Sequence, residues 1–287
     1  MDNLSTIILA GSLIVIMLGM GLSLVTADFK RIISFPKAIF VGLTNQLVLL
    51  PLIGFGIATL LNLPPEIAIG IMILAACPGG PTSNLISHLA KGDLALSVTL
   101  TALSSLITIL TIPFLVNFAL AHFTQQEKII ELNVLETIAQ ICIVVVIPVV
   151  IGMLIRRFRP GFADRMAKPV RIGSGLVLAL IIIGIVIKEK DNFVSYFQQA
   201  GLAAFLLNAL TMLLGYYSAK LFAVGKAQAT AISIESGIQN GTLAITIAVV
   251  LLNNAGFAIA PAVYSLLMFL TGGLVIFLNN RNRSSLR

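Results

Sequence analysis

One carboxylate inside a long apolar stretch is the group in this sequence best placed to bind an ion. Glu235 lies near the centre of residues 227–252, and a carboxylate at the bilayer midplane costs about 2.5–3.5 kcal/mol on insertion scales. An intramembrane carboxylate without a Lys or Arg nearby usually holds a proton or a metal cation. The stretch therefore predicts a site for one of these two, and its other polar residues carry hydroxyl and amide groups: Ser236, Gln239, Asn240 and Thr242.

A second polar interruption lies in residues 75–87, AACPGGPTSNLIS. Two prolines and two glycines within residues 78–81 cannot sustain continuous helix hydrogen bonding. Unwound backbone at membrane depth persists only where it is buried in protein or lines a cavity. A simple proline kink is the alternative interpretation. Thr82, Ser83 and Asn84 favour a binding site, because they place oxygen ligands and helix-terminal dipoles at the break.

Two other apolar stretches carry candidate oxygen ligands. Gln46 has a long acceptor arm, and Ser97 and Thr101 are spaced i, i+4, so they share one helix face. Structural hydrogen bonds, back-bonding to the i−4 carbonyl or packing of small residues would explain the same residues. The sequence alone leaves both explanations open.

The elements that must position these residues are membrane-spanning helices. Of the 287 residues, 58% are hydrophobic and 10% are charged, against roughly 25% charged in soluble domains. Repeated apolar runs of about 20 residues are typical of an all-α polytopic membrane protein, whose partner is the lipid bilayer. A net charge of +7 would indicate nucleic acid in a soluble protein. Here the positions of the charges explain it better, so no nucleic acid partner is expected.

Nine spans fit the apolar runs, and together they predict a single transmembrane unit over residues 1–287. Only Lys128, Lys188 and Lys190, three of the 18 Lys and Arg, then fall on the outer side. Because cytoplasmic loops carry an excess of Lys and Arg, the N-terminus is predicted outside and the C-terminus cytoplasmic, in the cell (inner) membrane. The predicted spans are residues 4–27, 38–61, 66–89, 94–121, 134–155, 170–188, 196–219, 226–252 and 257–279.

The two polar interruptions occupy related places in this order. The first four spans and the last four form two units of opposite orientation, and each unit is broken in its third helix. Such inverted repeats with paired discontinuous helices mark the binding sites of secondary transporters. The two breaks are therefore expected to cross near the bilayer midplane.

Other function classes find little support. Hydrolysis would need paired carboxylates or a Ser–His pair at depth, whereas His88 and His122 fall near span ends. Cys77 and Cys142 lie in apolar runs without a CxxC or Cys/His pattern, so no disulfide framework or zinc site is indicated. A nucleotide-binding motif and a soluble output domain are both missing from the sequence. We therefore expect neither an enzyme nor a receptor, no organic cofactor and no obligate protein partner.

Three motifs together resemble the bile acid:sodium symporter family. They are PGGPTSN in one broken span, S-x-x-x-T in the next, and ESGIQNGT in the second broken span. The chain resembles a nine-span, bacterial-type member. The resemblance implies a panel of three spans (residues 4–27, 134–155 and 170–188) against a core of the other six, in which the two discontinuous helices cross.

The resemblance also implies two sodium sites and a substrate site. One sodium site would comprise Ser83, Asn84, Ser97, Thr101 and Glu235. The other would comprise Gln46, Gln239, Glu235 and backbone carbonyls near Ser236 and Ile238. Substrate contacts would come from Asn240, Thr82 and Asn84. Pro81 stands where the family often has a small or hydroxyl residue, a departure that concerns the substrate contact at this turn.

The implied function is a sodium-coupled symporter that imports an organic anion, bile-acid-like or a small carboxylate, by alternating access with two Na⁺ as coupling ions. The alternative is a proton-coupled or uniport exporter of an organic anion or oxyanion with the same fold. A distantly related class exports arsenite through a cysteine, and Cys77 directly precedes PGGP. Oxygen-only ligands around one carboxylate favour a hard cation, since a proton does not need so many acceptors.

Overall fold

A computed structural model describes residues 3–30, 33–124, 132–188 and 193–284. Within these ranges the chain folds into twelve helices, with one isolated β-bridge. In chain order the helices are α1 (Asn3–Gly21), α2 (Thr26–Lys30), α3 (Pro36–Leu60), α4 (Pro65–Ala76), α5 (Pro81–Leu89), α6 (Leu94–Phe123), α7 (Val134–Phe158), α8 (Pro160–Lys188), α9 (Phe193–Leu221), α10 (Lys226–Gly237), α11 (Gly241–Leu251) and α12 (Ile259–Ser284).

Five of the described helices are long and apolar enough to cross a membrane, and three shorter apolar stretches accompany them. This confirms the prediction of an all-helical membrane protein. The long candidates are Pro36–Leu60, Leu94–Phe123, Val134–Phe158, Phe197–Leu221 and Gly256–Arg281; the shorter ones are Ile7–Gly21, Pro65–Ala76 and Gly241–Leu251.

Local sequence signals explain where several helices begin. Asp93 caps α6, because its carboxylate accepts the Leu96 N–H at 3.0 Å. Asn133 caps α7 in the same way, accepting from Leu135 and Glu136. Proline occupies the first turn of α3, α4, α5 and α8, where its missing N–H is not needed.

The junction between α7 and α8 differs from the sequence prediction. Residues 156–169 were expected to form a loop, but α8 already begins at Pro160 and continues through Pro169. The charged residues end the apolar run that marks a membrane span, but charged residues do not by themselves end a helix. Pro160 is favourable in the first turn, so α8 can begin there. Arg156 stabilises the junction, because it forms an ion pair with Asp164 and donates a hydrogen bond to the Leu22 carbonyl.

Two predicted spans are each divided into two half-helices. The first, α4 and α5, is interrupted at residues 77–80, and the second, α10 and α11, at residues 238–240. The interruptions lie against each other: the Asn240 N–H donates to the Pro78 carbonyl at 2.9 Å, and Gly79 pairs with Gln239 in the antiparallel bridge. Backbone groups released by one break are thus satisfied by the other, as buried backbone requires.

Helices α1, α7 and α8 pack on one another, while α9 packs mainly on α10 and α12. The contact between α1 and α7 is a close backbone approach. A Cβ on Gly21 would lie 2.2 Å from the Val149 carbonyl oxygen, and one on Gly152 would lie 2.4 Å from that of Leu18. Small residues of this kind allow membrane helices to approach closely.

Candidate functional site

The Glu235 carboxylate is fully buried and surrounded by hydroxyl groups from two other helices. Ser83 on α5 and Ser97 on α6 both donate to its Oε1 at 2.5 Å. Thr101, one turn further along α6, donates to its Oε2 at 2.8 Å. The i, i+4 spacing of Ser97 and Thr101 therefore places both hydroxyls on the face that meets the carboxylate.

Asn84 completes this cluster. Its Oδ1 lies 2.9 Å from the Ser97 hydroxyl and 3.2 Å from that of Thr101. The structure thus brings together all five residues of the first predicted set, which are Ser83, Asn84, Ser97, Thr101 and Glu235.

The cluster contains more acceptors than protons. Its three hydroxyls each carry a single proton, yet every one of them faces at least two acceptor oxygens. Ser83 also lies 2.7 Å from the Gly80 carbonyl, and Thr101 lies 3.1 Å from that of Ser97. Three protons are thus shared among five acceptor oxygens, and the hydroxyl oxygens keep lone pairs of their own, so the cluster has lone pairs to spare for a bound cation.

A second group of polar atoms lies on the backbone side of Glu235. Gln46 Nε2 donates to the Glu235 carbonyl at 2.8 Å, and Gln239 Nε2 donates to the Ser236 carbonyl at 2.9 Å. The Oε1 atoms of both glutamines are buried without a hydrogen-bond partner among the described residues. Buried amide oxygens rarely stay unpaired, so the two side chains hold oxygen atoms that are available as ligands.

The other predicted ligands of the second sodium site are backbone carbonyls near Ser236 and Ile238. The Ser236 hydroxyl donates to the Ile232 carbonyl, and the Ser236 group that contacts a glutamine is its own carbonyl. Ile238 is buried in the interruption with an extended backbone, φ −109° and ψ 98°. Its role as a carbonyl ligand stays a prediction.

Gly79 separates the two groups of ligands, a role that sequence reasoning missed. A Cβ at this position would lie 2.6 Å from Glu235 Oε2 and 3.1 Å from Gln46 Nε2. The residue was interpreted only as a helix breaker. Its contact with the carboxylate depends on the neighbouring helix and leaves no signal in the local sequence beyond a glycine between prolines.

Asn208 and Tyr264 both donate hydrogen bonds to the backbone at the start of the second interruption. Asn208 Nδ2 donates to the Gly237 carbonyl at 2.6 Å, and the Tyr264 hydroxyl donates to the same carbonyl at 2.7 Å. The role of Tyr264 was not predicted from the sequence. For Asn208, the sequence signal was its position as a single asparagine in the apolar helix α9.

A cavity of about 490 Å³ lies beside the two interruptions. The three residues predicted to contact substrate, Thr82, Asn84 and Asn240, all line it. The starts of α5 and α11 meet there, and Asn240 caps α11 by accepting the Leu243 N–H at 3.0 Å. The other lining residues include Met20, Leu24, His88, Gln239, Thr242, Met268 and Phe269.

The two cysteines do not take part in this arrangement. Both are free, Cys77 is buried, and neither belongs to the cavity lining. A thiol that met a transported oxyanion would have to reach the cavity. The geometry therefore gives no support to the exporter alternative that relies on Cys77.

Comparison with known proteins extends over most of the chain. The profile of the Sodium Bile acid symporter family matches residues 10–196. An uncharacterized sodium-dependent transporter of Bacillus subtilis, YocS, is 32% identical over 269 residues, which cover 91% of this chain and 79% of that protein.

Plant and mammalian proteins are also similar. The probable sodium/metabolite cotransporter BASS1 of Arabidopsis thaliana chloroplasts is 30% identical over 92% of this chain, which spans 64% of the plant protein. The ileal sodium/bile acid cotransporter of Oryctolagus cuniculus is 25% identical over 86% of this chain and 69% of its own length. The chain therefore belongs to the sodium bile acid symporter family, and it is accordingly a sodium-dependent cotransporter of a solute and not an enzyme.

Proposed function

We propose that this protein imports an organic anion by alternating access, driven by two Na⁺ ions that bind at Glu235. The observation that carries the proposal is the surplus of acceptor oxygens around this buried carboxylate. A hard cation with oxygen ligands satisfies all of them at once. A single proton would satisfy only one of these oxygens.

The first ion is assigned to the hydroxyl cluster and the second to the glutamines. Ser83, Asn84, Ser97 and Thr101 supply neutral oxygens around the carboxylate for the first. Gln46 and Gln239 supply amide oxygens for the second, together with backbone carbonyls near Ser236 and Ile238. Because hydrogen-bond geometry decides which amide atom is oxygen, rotation of either amide would aim its unpaired Oε1 at an ion between these carbonyls.

The wider architecture follows the family pattern. Nine crossings are obtained if α4 with α5 and α10 with α11 each count as one discontinuous span and α2 lies at the surface. Helices α1, α7 and α8 would form the panel, and the remaining spans the core with its two crossing breaks in inverted repeats. The distribution of Lys and Arg supports an outer N-terminus and a cytoplasmic C-terminus in the cell (inner) membrane.

The cavity supports an organic anion as the second cargo. Two half-helices begin at its wall, and helix starts carry positive partial charge that favours a carboxylate or sulfonate. Thr82, Asn84 and Asn240 would contact this polar end. Met20, Leu24, Met268 and Phe269 form an apolar wall for the rest of the molecule.

Coupling would arise because the same residues serve both cargoes. Asn84 contacts the hydroxyl cluster and also lines the cavity, so ion binding orders a residue that the substrate needs. Inward movement of net positive charge is driven by the membrane potential, about 2.3 kcal/mol per charge per 100 mV.

Uptake by proteoliposomes tests the proposal. Labelled organic anions, from keto acids to steroid conjugates, are offered with an inward Na⁺ gradient or with choline in place of Na⁺ at fixed pH. We expect uptake only with Na⁺. Uptake that persists in choline and follows a pH gradient would contradict sodium coupling and favour the proton-coupled alternative.

A further inference from the structure

Three described helices contain a single π-helical turn, and two of these turns precede a proline at the same spacing. In α3 the turn is Asn45–Leu49 and the proline is Pro51; in α7 the turn is Cys142–Val146 and the proline is Pro148. In both cases the proline follows two residues after the turn. The spacing connects the proline to the altered hydrogen bonding.

Proline explains the wide turn in physical terms. Pro51 has no N–H to donate, and its ring would collide with the carbonyl of Leu47, four residues earlier, in a regular α-helix. In the structure the Leu50 N–H donates to the Asn45 carbonyl, five residues earlier. A π turn adds one residue, which rotates the preceding residues by about 100° relative to a regular helix.

This rotation determines where two polar side chains of α3 point. Gln46, in the turn, donates to the Glu235 carbonyl, and Asn45 donates to the Ser218 hydroxyl of α9 at 2.9 Å. A regular helix would turn both away from these partners. We infer that Pro51 is a positioning residue, which aims Gln46 at the second ion by maintaining the π turn; the ion's part in this inference rests on the proposed function.

Pro148 provides a matched control within the same chain. Its π turn lies in α7, which packs on α1, and no residue of that turn contributes to the ligand sets or the cavity lining. Restoring a backbone N–H at Pro51 or at Pro148 therefore makes the same chemical change in the same local structure. Only the first should alter sodium binding.

The experiment compares Pro51→Ala, Pro148→Ala, Gln46→Ala and the double variant Pro51→Ala/Gln46→Ala in proteoliposomes. We expect Pro51→Ala and Gln46→Ala each to raise the half-saturating Na⁺ concentration about fivefold, the scale of one buried polar contact, and to lower the Hill coefficient towards one. The double variant should be no worse than Gln46→Ala. Additive effects, or equal effects of Pro51→Ala and Pro148→Ala, would overturn the inference.

A cross-linking measurement separates this inference from the proposed function. In a background without Cys77 and Cys142, cysteines at positions 45 and 218 should be joined by a short bifunctional thiol reagent, and Pro51→Ala should abolish the cross-link. This result does not depend on sodium coupling, so a wild type without Na⁺ dependence would refute only the proposed function. A cross-link that survives Pro51→Ala would overturn the positioning role.

The folding of the variants is checked by size-exclusion chromatography. If Pro51→Ala does not fold, Pro51→Ser restores the same N–H and is judged by the same cross-link. Failure of both variants to fold, while Pro148→Ala folds, would identify Pro51 as a folding residue and also overturn the inference.

Discussion

The two interrupted helices arise from similar sequence signals but occupy different environments. Around the first, Pro81, Thr82 and Asn84 are only half-buried beside the cavity, and the last turn of α5 is exposed at His88. Around the second, residues 229–249 are all buried. Both breaks line the cavity, but the first is half-open beside it, whereas the second is almost fully enclosed by neighbouring helices.

The second interruption is tightly packed against neighbouring helices at both of its ends. A Cβ on Gly237 would lie 2.1 Å from Met212 Cγ, and one on Gly241 would lie 1.8 Å from Ser265 Oγ. At the first interruption, a Cβ on Gly79 would meet the side chains of Glu235 and Gln46, whereas one on Gly80 would meet only ordinary contacts, the nearest at 3.5 Å. The carboxylate thus stands on the more tightly packed of the two broken helices, and its hydroxyl partners come from α5 and α6.

The largest expected effect comes from Gly79→Ala, which forces the two breaks apart at the carboxylate. The new methyl group would lie within van der Waals distance of Glu235 Oε2 and Gln46 Nε2, so both ligand sets must shift. We expect Na⁺-driven uptake to fall at least about 100-fold, a loss of roughly 2.7 kcal/mol. Gly56→Ala, with open space around its Cβ, is the control, and uptake by Gly79→Ala near the level of that control would refute the prediction.

Adjacent residues of α5 should separate the two cargoes. Ser83→Ala removes a hydroxyl from the carboxylate cluster and should raise the half-saturating Na⁺ concentration about tenfold, or 1.4 kcal/mol. Thr82→Ala should instead raise the substrate KM and leave the Na⁺ dependence unchanged, because Thr82 lines the cavity. Uptake kinetics at varied Na⁺ and substrate measure both, and equal effects on both cargoes would contradict the assignment.

The anchoring of the second break is tested by Tyr264→Phe. Loss of its hydrogen bond to the Gly237 carbonyl should destabilise the protein by about 1 kcal/mol, since Asn208 still donates to that carbonyl. Thermal unfolding in detergent should show a lower midpoint, with a smaller effect on the substrate KM than that of Thr82→Ala. Tyr216→Phe, at a position outside the site, is the control, and an unchanged midpoint would argue against the anchor.

The smallest effect is expected from Cys77→Ala. Cys77 is buried and does not line the cavity, so uptake of the organic anion should remain as in the wild type. Transport assays with and without a thiol-blocking reagent measure this. Loss of uptake in Cys77→Ala, with folding intact, would revive the thiol-dependent exporter.

The sequence was most informative about which residues act together. Glu235 was identifiable because a carboxylate in an apolar run needs a partner, and Ser97 and Thr101 because helical spacing places them on one face. Their meeting with Ser83 and Asn84 was expected from the paired helix breaks and from the family resemblance. The same pattern of apolar runs predicted the helical membrane class that the structure confirms.

Other features depend on tertiary contacts or on hydrogen-bond register. The close approach of Gly79 to the carboxylate depends on the position of α10. The hydrogen bond from Tyr264 to the Gly237 carbonyl depends on the position of α12. The π turn before Pro51 changes the direction of Gln46, yet hydrophobic periodicity does not reveal a single inserted residue. The early start of α8 was missed because hydropathy identifies only the apolar part of a helix. The helix also includes residues 160–169, which lie before the predicted apolar span.

Ion-dependent stabilisation of the purified protein tests the central claim most directly. Thermal unfolding is followed at fixed pH and ionic strength while Na⁺ replaces K⁺, because a ligand that binds only the folded state raises the unfolding midpoint. We predict that Na⁺ stabilises the wild type more than K⁺ does and that Glu235→Gln abolishes the difference. Equal stabilisation by Na⁺ and K⁺, or a Na⁺ effect that persists in Glu235→Gln, would contradict a sodium site at this carboxylate.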